Sequence, residues 1–171
     1  MKFNKNTDAE SRGFTLIETL IAISILLVAV VGPMSLIGDA THKLYYSKDE
    51  MIALNLAQEG IEIVRSVRDS NTLAGAVWNT GLAAGSYIVD PSSTPLTLCV
   101  ACDQKVYFGS NGSLYRQGTG FASTTQFSRL VTISTVAANA DELKVASTVT
   151  WTTGGSAGSI TASEDIFKWT P

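Results

Sequence analysis

The stretch that decides the fold reads Gly13-Phe14-Thr15-Leu16-Ile17-Glu18-Thr19-Leu20. It opens an apolar run that continues to Ile37, and Glu18 carries the only formal charge in that run. At a rise of about 1.5 Å per residue, a helix over this run would reach roughly 36 Å, which is enough to cross the hydrocarbon core of a bilayer. A carboxylate inside such a span costs on the order of 2.5 kcal/mol or more, so Glu18 indicates a function.

The residues from Arg12 to Glu18 resemble the processing site of the type IV pilin superfamily, which includes type IV pilins and the pseudopilins of type II secretion and competence systems. In that family a prepilin peptidase cuts after the glycine and methylates the new N-terminal phenylalanine. The resemblance therefore implies a leader peptide over residues 1–13 and a cut between Gly13 and Phe14. It also implies that Glu18 guides assembly with other pilin or pseudopilin subunits. The segment from Ala57 to Asn71 is similar to part of minor-pilin-like and pseudopilin-like proteins.

Physical chemistry supports the same roles for the N-terminal residues. Cleavage would create a free amine on Phe14, about one helical turn before Glu18. A buried ammonium and a buried carboxylate are each costly alone and tolerable as a pair. The amine of a neighbouring subunit and the amine of the same chain both remain open as the partner of Glu18.

Two alternatives to a filament subunit stay open. A secretory signal would need small residues at a cut after the apolar run, and only Gly38-Asp39-Ala40 offers a weak candidate. A membrane-anchored extracellular binding or adhesin module that does not polymerise would keep the anchor but would not need Glu18.

The leader sets the expected orientation in the membrane. It carries Lys2, Lys5 and Arg12, and positive residues tend to stay in the cytoplasm. We therefore expect a single-pass protein of the inner membrane with its C-terminal domain outside, which later resides in a pilus or pseudopilus at the cell surface or in the periplasm.

Gly32 and Pro33 interrupt the pattern of the span. Proline inside a helix removes one backbone hydrogen bond and clashes with the preceding turn, so a kink or hinge is expected near residues 29–33. A proline that the membrane helix simply tolerates is the other interpretation.

Residues 38–71 predict an amphipathic continuation of the helix. At 100° per residue the apolar side chains cover a broad face, and Gly60 falls near its middle, where a missing side chain permits close backbone approach. One half of the face meets the sheet and the other half meets neighbouring subunits, or the whole face belongs to the core. Turn residues from Asp69 to Thr72 predict the end of the helix near Arg68.

Residues 72–171 predict a β-rich extracytoplasmic domain. Asn111-Gly112 between two short apolar runs predicts a hairpin. Alternating residues from Leu143 to Trp151 predict a half-buried strand, in a meander with strands at 129–136 and 160–169. Loops are expected from Asp90 to Pro95 and from Gly154 to Gly158. A helix followed by strands without alternation predicts the α+β class, with a long N-terminal helix packed on an antiparallel sheet.

The composition does not favour an enzyme, a cofactor or a nucleic-acid partner. The formal net charge is −3 and no basic cluster occurs. The single histidine, His42, lies on the helix, far in sequence from any candidate nucleophile. The acid pairs Asp141-Glu142 and Glu164-Asp165 match no calcium-binding loop, and solvated acids explain them more simply than a calcium site does.

Cys99 and Cys102 are the only cysteines. A zinc site would need two more ligands, and a thioredoxin-like pair would open a helix, whereas Leu96-Thr97-Leu98 predicts a strand. Outside the cytoplasm a local disulfide is expected, with a reduced structural pair as the alternative.

Overall fold

The computed structural model describes residues 13–109, 114–118 and 123–168. One long helix, α1, comes first and seven strands follow. The bounds are α1 Leu16–Leu73, β1 Gly85–Asp90, β2 Ser93–Leu98, β3 Lys105–Phe108, β4 Tyr115–Arg116, β5 Ser123–Val136, β6 Asn139–Thr153 and β7 Ser156–Phe167. The chain divides into two compact units, Met1–Lys43 and Leu44–Pro171. The second unit begins inside α1, whereas the sequence placed the start of the β-rich domain at residue 72.

The strands form one antiparallel sheet that branches at β5. On one edge β5 pairs with β6, and β6 pairs with β7, which gives the predicted meander. On the other edge the first half of β5 pairs with β3, which continues to β4. The second half pairs with β1, which continues to β2. The predicted α+β class, with a long helix and an antiparallel sheet, is confirmed.

The part of α1 in the second unit packs one apolar strip on this sheet. The strip repeats at three- and four-residue spacing, as one face of a helix requires. Its buried members are Ala53, Leu56, Ala57, Gly60, Ile61 and Val64. The strip is narrower than the sequence predicted, because Leu54 is exposed and Ile52, Ile63 and Val67 are only half-buried.

Gly60 lies where α1 comes closest to the sheet. A Cβ added at Gly60 would lie 2.5 Å from Ser147 Oγ and 3.1 Å from Val131 Cγ2. The expected close approach of the helix backbone is therefore confirmed. Two apolar clusters flank this point, one around Ile61 and Val64 and the other around Ala53 and Leu56.

The prediction that the helix ends near Arg68 was wrong, because α1 continues to Leu73. The side chains that predicted a turn make other hydrogen bonds. Thr72 Oγ1 donates to Arg68 O within the helix, and Asn71 Nδ2 donates to the carbonyls of Trp78 and Thr80 beyond it. Gly75, two residues beyond the end of the helix, has a φ of +69° and terminates it.

The hydrogen bonds at this end form a Schellman motif. Ala76 N donates to Asn71 O at 2.9 Å, and Gly75 N donates to Thr72 O at 3.1 Å. A glycine at the left-handed position is the usual stop signal of a helix, and it outweighed the turn propensity of the residues before it.

Two predicted loops are shorter in the structure than the sequence indicated. Pro95 lies within β2, which pairs with β1 alone among the described strands, and proline is tolerated on an edge strand. Gly158 lies in β7 opposite Trp151, so the turn between β6 and β7 contains only Gly154 and Gly155, both with positive φ.

The predicted hairpin joins β3 and β4. Tyr107 pairs with Arg116, and Phe108 pairs with Tyr115. The turn itself, Asn111-Gly112, lies outside the described residues.

Candidate processing and assembly site

Gly13 and Phe14 lie immediately before the first turn of α1, which begins at Leu16. Thr15 caps this turn: the backbone N–H of Glu18 donates to Thr15 Oγ1 at 3.3 Å and to Thr15 O at 3.1 Å. Thr15-Leu16-Ile17-Glu18 thus has the sequence of a capping box, in which a threonine is followed three residues later by an acid or amide. The role of Thr15 was not predicted from the sequence, although this spacing indicates it.

Glu18 sits in the first turn, where the positive end of the helix dipole stabilises a carboxylate. Its neighbours are apolar and open, and the Phe14 side chain is 81% exposed. The helix dipole therefore stabilises the Glu18 carboxylate locally, on a helix surface that is otherwise mostly apolar. Phe14 precedes Glu18 by four residues, which is about one helical turn.

The apolar side chains of the span have no cover among the described residues. The exposed large apolar side chains of this segment lie on all sides of the helix, and each of them is at least half exposed. Their positions include Leu20, Ile21, Ile23, Ile25, Leu26, Leu27, Val28, Val30, Val31, Met34, Leu36 and Ile37. A helix that is apolar all round belongs in an apolar environment, which is a membrane or the interior of an assembly. Within the described part of the chain, α1 is the single helix that is long and apolar enough to cross a membrane.

Three hydroxyl groups in the first half of α1 donate to carbonyls of the preceding helical turn. Thr19 Oγ1 donates to Leu16 O, Ser24 Oγ to Leu20 O and Thr41 Oγ1 to Ile37 O, each at 2.8 Å. A hydroxyl that donates to a carbonyl of the preceding turn can enter a water-free environment without losing its hydrogen bond.

Pro33 lies inside α1, and the helix continues on both sides of it. A Cβ added at Gly32 would meet no described atom within 4 Å, so Gly32 is not needed for a close contact within the described chain. The hinge at Gly32 and Pro33 stays a prediction.

A disulfide joins Cys99 and Cys102, whose Cα atoms are 5.0 Å apart. The bridge follows β2 directly, and Cys99 N donates to Ser86 O at 2.7 Å, so it extends the pairing of β2 with β1. The bridge closes a tight loop at one end of an edge strand.

Three of the four acids in the pairs Asp141-Glu142 and Glu164-Asp165 have protein partners. Asp141 lies 3.8 Å from the Lys168 ammonium, Glu142 accepts from Asn139, and Glu164 pairs with Arg65. The described residues contain no group of three or more histidine, cysteine or acidic side chains that could hold a metal ion.

A buried arginine in the second unit was not predicted from the sequence. Arg129 is 0% exposed, and all of its side-chain nitrogens are bonded. Nη1 donates to Leu56 O at 3.0 Å and to Glu59 Oε2 at 2.7 Å, Nη2 to Val89 O at 2.7 Å, and Nε to Gln117 Oε1 at 2.9 Å. The sequence did contain a signal of its burial. Arg129 lies on the same face of β5 as Val131 and Ile133, which are core residues, because alternate residues of a strand share one face.

Comparison with known protein families gives a match at the N-terminus. The family described as the prokaryotic N-terminal methylation motif matches residues 9–32. These residues include Gly13, Phe14, Glu18 and Gly32. The comparisons with curated proteins and with solved structures gave no match.

The motif implies processing by a prepilin peptidase and assembly with other pilins in general, and it points to a structural rather than a catalytic protein. Its apolar helix could anchor the chain in a membrane. A methylation motif at residues 9–32, on a long N-terminal helix that precedes a C-terminal antiparallel sheet, makes the chain consistent with a type IV pilin-like protein.

Proposed function

We propose that this chain is the precursor of a structural subunit of a type IV pilus-like or type II secretion-like filament. A prepilin peptidase cuts after Gly13, and the subunit then assembles through α1. The observation that carries this proposal is the position of Glu18, an acid in the first turn of an uncovered apolar helix, inside a methylation motif.

The cut changes the electrostatics of the helix start. It turns the Phe14 nitrogen into an amine that carries a positive charge, which the positive end of the helix dipole disfavours. The Glu18 carboxylate offsets this charge. In a fibre core the amine of one subunit pairs with the Glu18 carboxylate of its neighbour, because each charge alone is costly in an apolar surrounding.

Storage in the inner membrane precedes assembly. The segment 14–37 spans the bilayer once, and the C-terminal domain lies outside. The span contacts inner-membrane lipid and then exchanges it for the helices of other pilin or pseudopilin subunits. Gly32 and Pro33 act as the hinge that lets the span adjust during this exchange. The Cys99–Cys102 bridge is compatible with an oxidising extracytoplasmic location.

The variant Glu18→Gln tests this mechanism. Glutamine can occupy the same position of a capping box, so the helix start is kept while the charge is lost. We expect the variant to reach the membrane at normal levels and to be absent from purified filaments. Removing one partner of a buried ion pair costs about 3–5 kcal/mol, which is more than enough to exclude a subunit. The measurement is the amount of variant in sheared filaments relative to the membrane fraction.

The matched control is Thr15→Ala, which removes the cap and keeps the charge. Loss of an N-cap costs about 1 kcal/mol, so this variant should still enter filaments. Normal incorporation of Glu18→Gln, or equal defects in the two variants, would contradict a role of the Glu18 charge in assembly.

A further inference from the structure

The edge strand β7 (Ser156–Phe167) pairs with β6 alone among the described strands. Its residues pair with β6 without a register shift, whereas the β1–β2, β3–β5 and β5–β6 pairings each contain one. β7 contains no lysine, arginine or proline, and its first eight residues carry no charge. Proteins usually protect a sheet edge with such residues or with bulges, as in β2, which contains Pro95. A long, regular and unprotected edge is a surface that can bind another strand.

The pairing of β6 with β7 shows which backbone groups lie on the free edge. Lys168 N donates to Asp141 O at 2.9 Å, so these two residues continue the ladder as a hydrogen-bonded pair. Because such pairs alternate in an antiparallel ladder, the N–H and C=O groups of the odd-numbered residues from 157 to 165 point to the free edge. These groups have no hydrogen-bond partner among the described residues. The free edge ends at Phe167, whose carbonyl accepts from Arg68 Nη1 at 3.0 Å.

The side chains of β7 are complementary to a second copy of the same strand. In an antiparallel pairing centred on Thr161, all of the odd-numbered residues from 157 to 165 form hydrogen-bonded pairs, and no acid lies opposite an acid. The opposing residues are then Ala157 and Asp165, Gly158 and Glu164, Ser159 and Ser163, Ile160 and Ala162, and Thr161 with its own copy. A parallel pairing would bring the acids of both copies together at one end of the strands, which destabilises a sheet.

The direction of β7 decides which copies can meet in this way. β7 runs in the same direction as the sheet-facing part of α1, because Arg65 pairs with Glu164, and a Cβ added at Gly158 would lie 2.8 Å from Tyr46 Oη. A two-fold pairing of β7 therefore sets residues 44–73 of the two copies in opposite directions. Copies that assemble through one fibre core would run in the same direction.

We propose that the free edge of β7 binds the β7 edge of a second copy of this chain, in an antiparallel two-fold pairing centred on Thr161, and that the two copies belong to different fibres. The pairing itself stands on the geometry of the edge, and its place between fibres rests on the proposed function. The same surface serves on both copies, so the contact is closed at two chains. A single contact is weak because the paired side chains are small, and contacts repeated along two fibres act together.

Cross-linking of the full chain in detergent micelles tests the pairing. The probe is a bifunctional thiol reagent too short to span about 13 Å, the length of four residues of a strand. The native cysteines are joined in a disulfide and do not react with it. Thr161→Cys should cross-link to its own copy, and a mixture of Ser159→Cys and Ser163→Cys chains should give a mixed dimer. We expect each yield to be at least about tenfold above that of Thr132→Cys, an exposed position on the interior strand β5.

The variant Ser163→Cys alone tests the register. In the proposed pairing Ser163 lies opposite Ser159 of the second copy, so this variant should cross-link to itself no better than the Thr132→Cys control. Efficient self-cross-linking of Ser163→Cys would show a different register and would overturn the proposal. Yields at the control level for Thr161→Cys and for the mixture would overturn it as well.

The variant Thr161→Pro blocks the free edge and leaves the β6–β7 ladder intact, because the Thr161 N–H points away from β6. The matched control is Thr161→Val, which also loses the hydroxyl contact with Thr148 and keeps the N–H. The mixed Ser159→Cys and Ser163→Cys cross-link should fall about tenfold in the proline background and persist in the valine background. Equal yields in the two backgrounds would contradict the strand pairing.

Electron microscopy of purified fibres tests the second part of the proposal. Thr161→Pro fibres should form at the wild-type level and lose side-by-side association, whereas Thr161→Val fibres should keep it. Equal association of the two variants would overturn the contact between fibres. If the wild-type chain forms no fibres, the proposed function fails together with this second part, and the cross-links in micelles still decide the β7 pairing.

Discussion

At the scale of single residues, Gly60 is the point where an added methyl group should matter most. Gly60→Ala places a Cβ 2.5 Å from Ser147 Oγ, so the helix or the sheet must shift. Overpacking of this kind costs about 1–3 kcal/mol. We expect the midpoint of thermal unfolding of the detergent-solubilised chain to fall, as followed by near-UV circular dichroism.

Two variants sharpen that prediction. Gly38→Ala also adds a methyl group to α1, at a site where a Cβ meets no described atom within 4 Å, and it should not destabilise the chain. Ser147→Ala removes the nearest atom and should restore part of the stability that Gly60→Ala loses. Equal effects of the two glycine variants would contradict the close approach.

Gly60 and Arg129 also show what single residues reveal before a structure is known. Gly60 was predictable because helical periodicity placed it in the middle of an apolar face. Arg129 was not recognised as a core residue, since a charged side chain normally marks the solvent face of a strand. Its partners are distant in sequence: Glu59 lies 70 positions away, and Val89 lies 40 positions away. Periodicity carries no information on such contacts.

At the scale of elements, the Cys99–Cys102 bridge is expected to be a local device with a modest effect. The loop it closes is very short, so the chain-entropy argument gives at most about 2 kcal/mol. The double variant Cys99→Ser/Cys102→Ser should therefore fold and unfold cooperatively, with a slightly lower midpoint in denaturant. Loss of the folded state would contradict this expectation, and so would a shift far beyond 2 kcal/mol.

Elements with a clear period were predictable from the sequence, and those set by long-range contacts were not. The alternation from Leu143 to Trp151 predicted β6, and the structure extends it to both sides. β1 was not predicted, because its Gly85-Ser86 start has little strand propensity and its pairing with β5 spans more than forty residues. The helix end was misplaced for a similar reason, since Asn71 bonds carbonyls beyond the helix instead of starting a turn.

At the scale of the whole molecule, the chain has two kinds of apolar surface. The second unit buries its apolar side chains in two clusters between α1 and the sheet. The apolar side chains of 14–37 have no such cover in the described chain. The segment matched by the methylation motif, residues 9–32, contains most of these exposed apolar side chains.

The processing and assembly residues that we propose could be suggested from the sequence because they lie close together in the chain. Gly13, Phe14 and Glu18 lie within six positions, so their pattern needs no knowledge of the fold. The structure adds the cap at Thr15, which gives Glu18 a second effect that experiments on it must separate.

The most direct test of the central claim is the intact mass and the N-terminal residue of the protein isolated from native membranes and filaments. We predict a chain that begins at Phe14 and carries one methyl group on its amine. A mature chain that still begins at Met1, or that begins at any residue other than Phe14, would contradict the account.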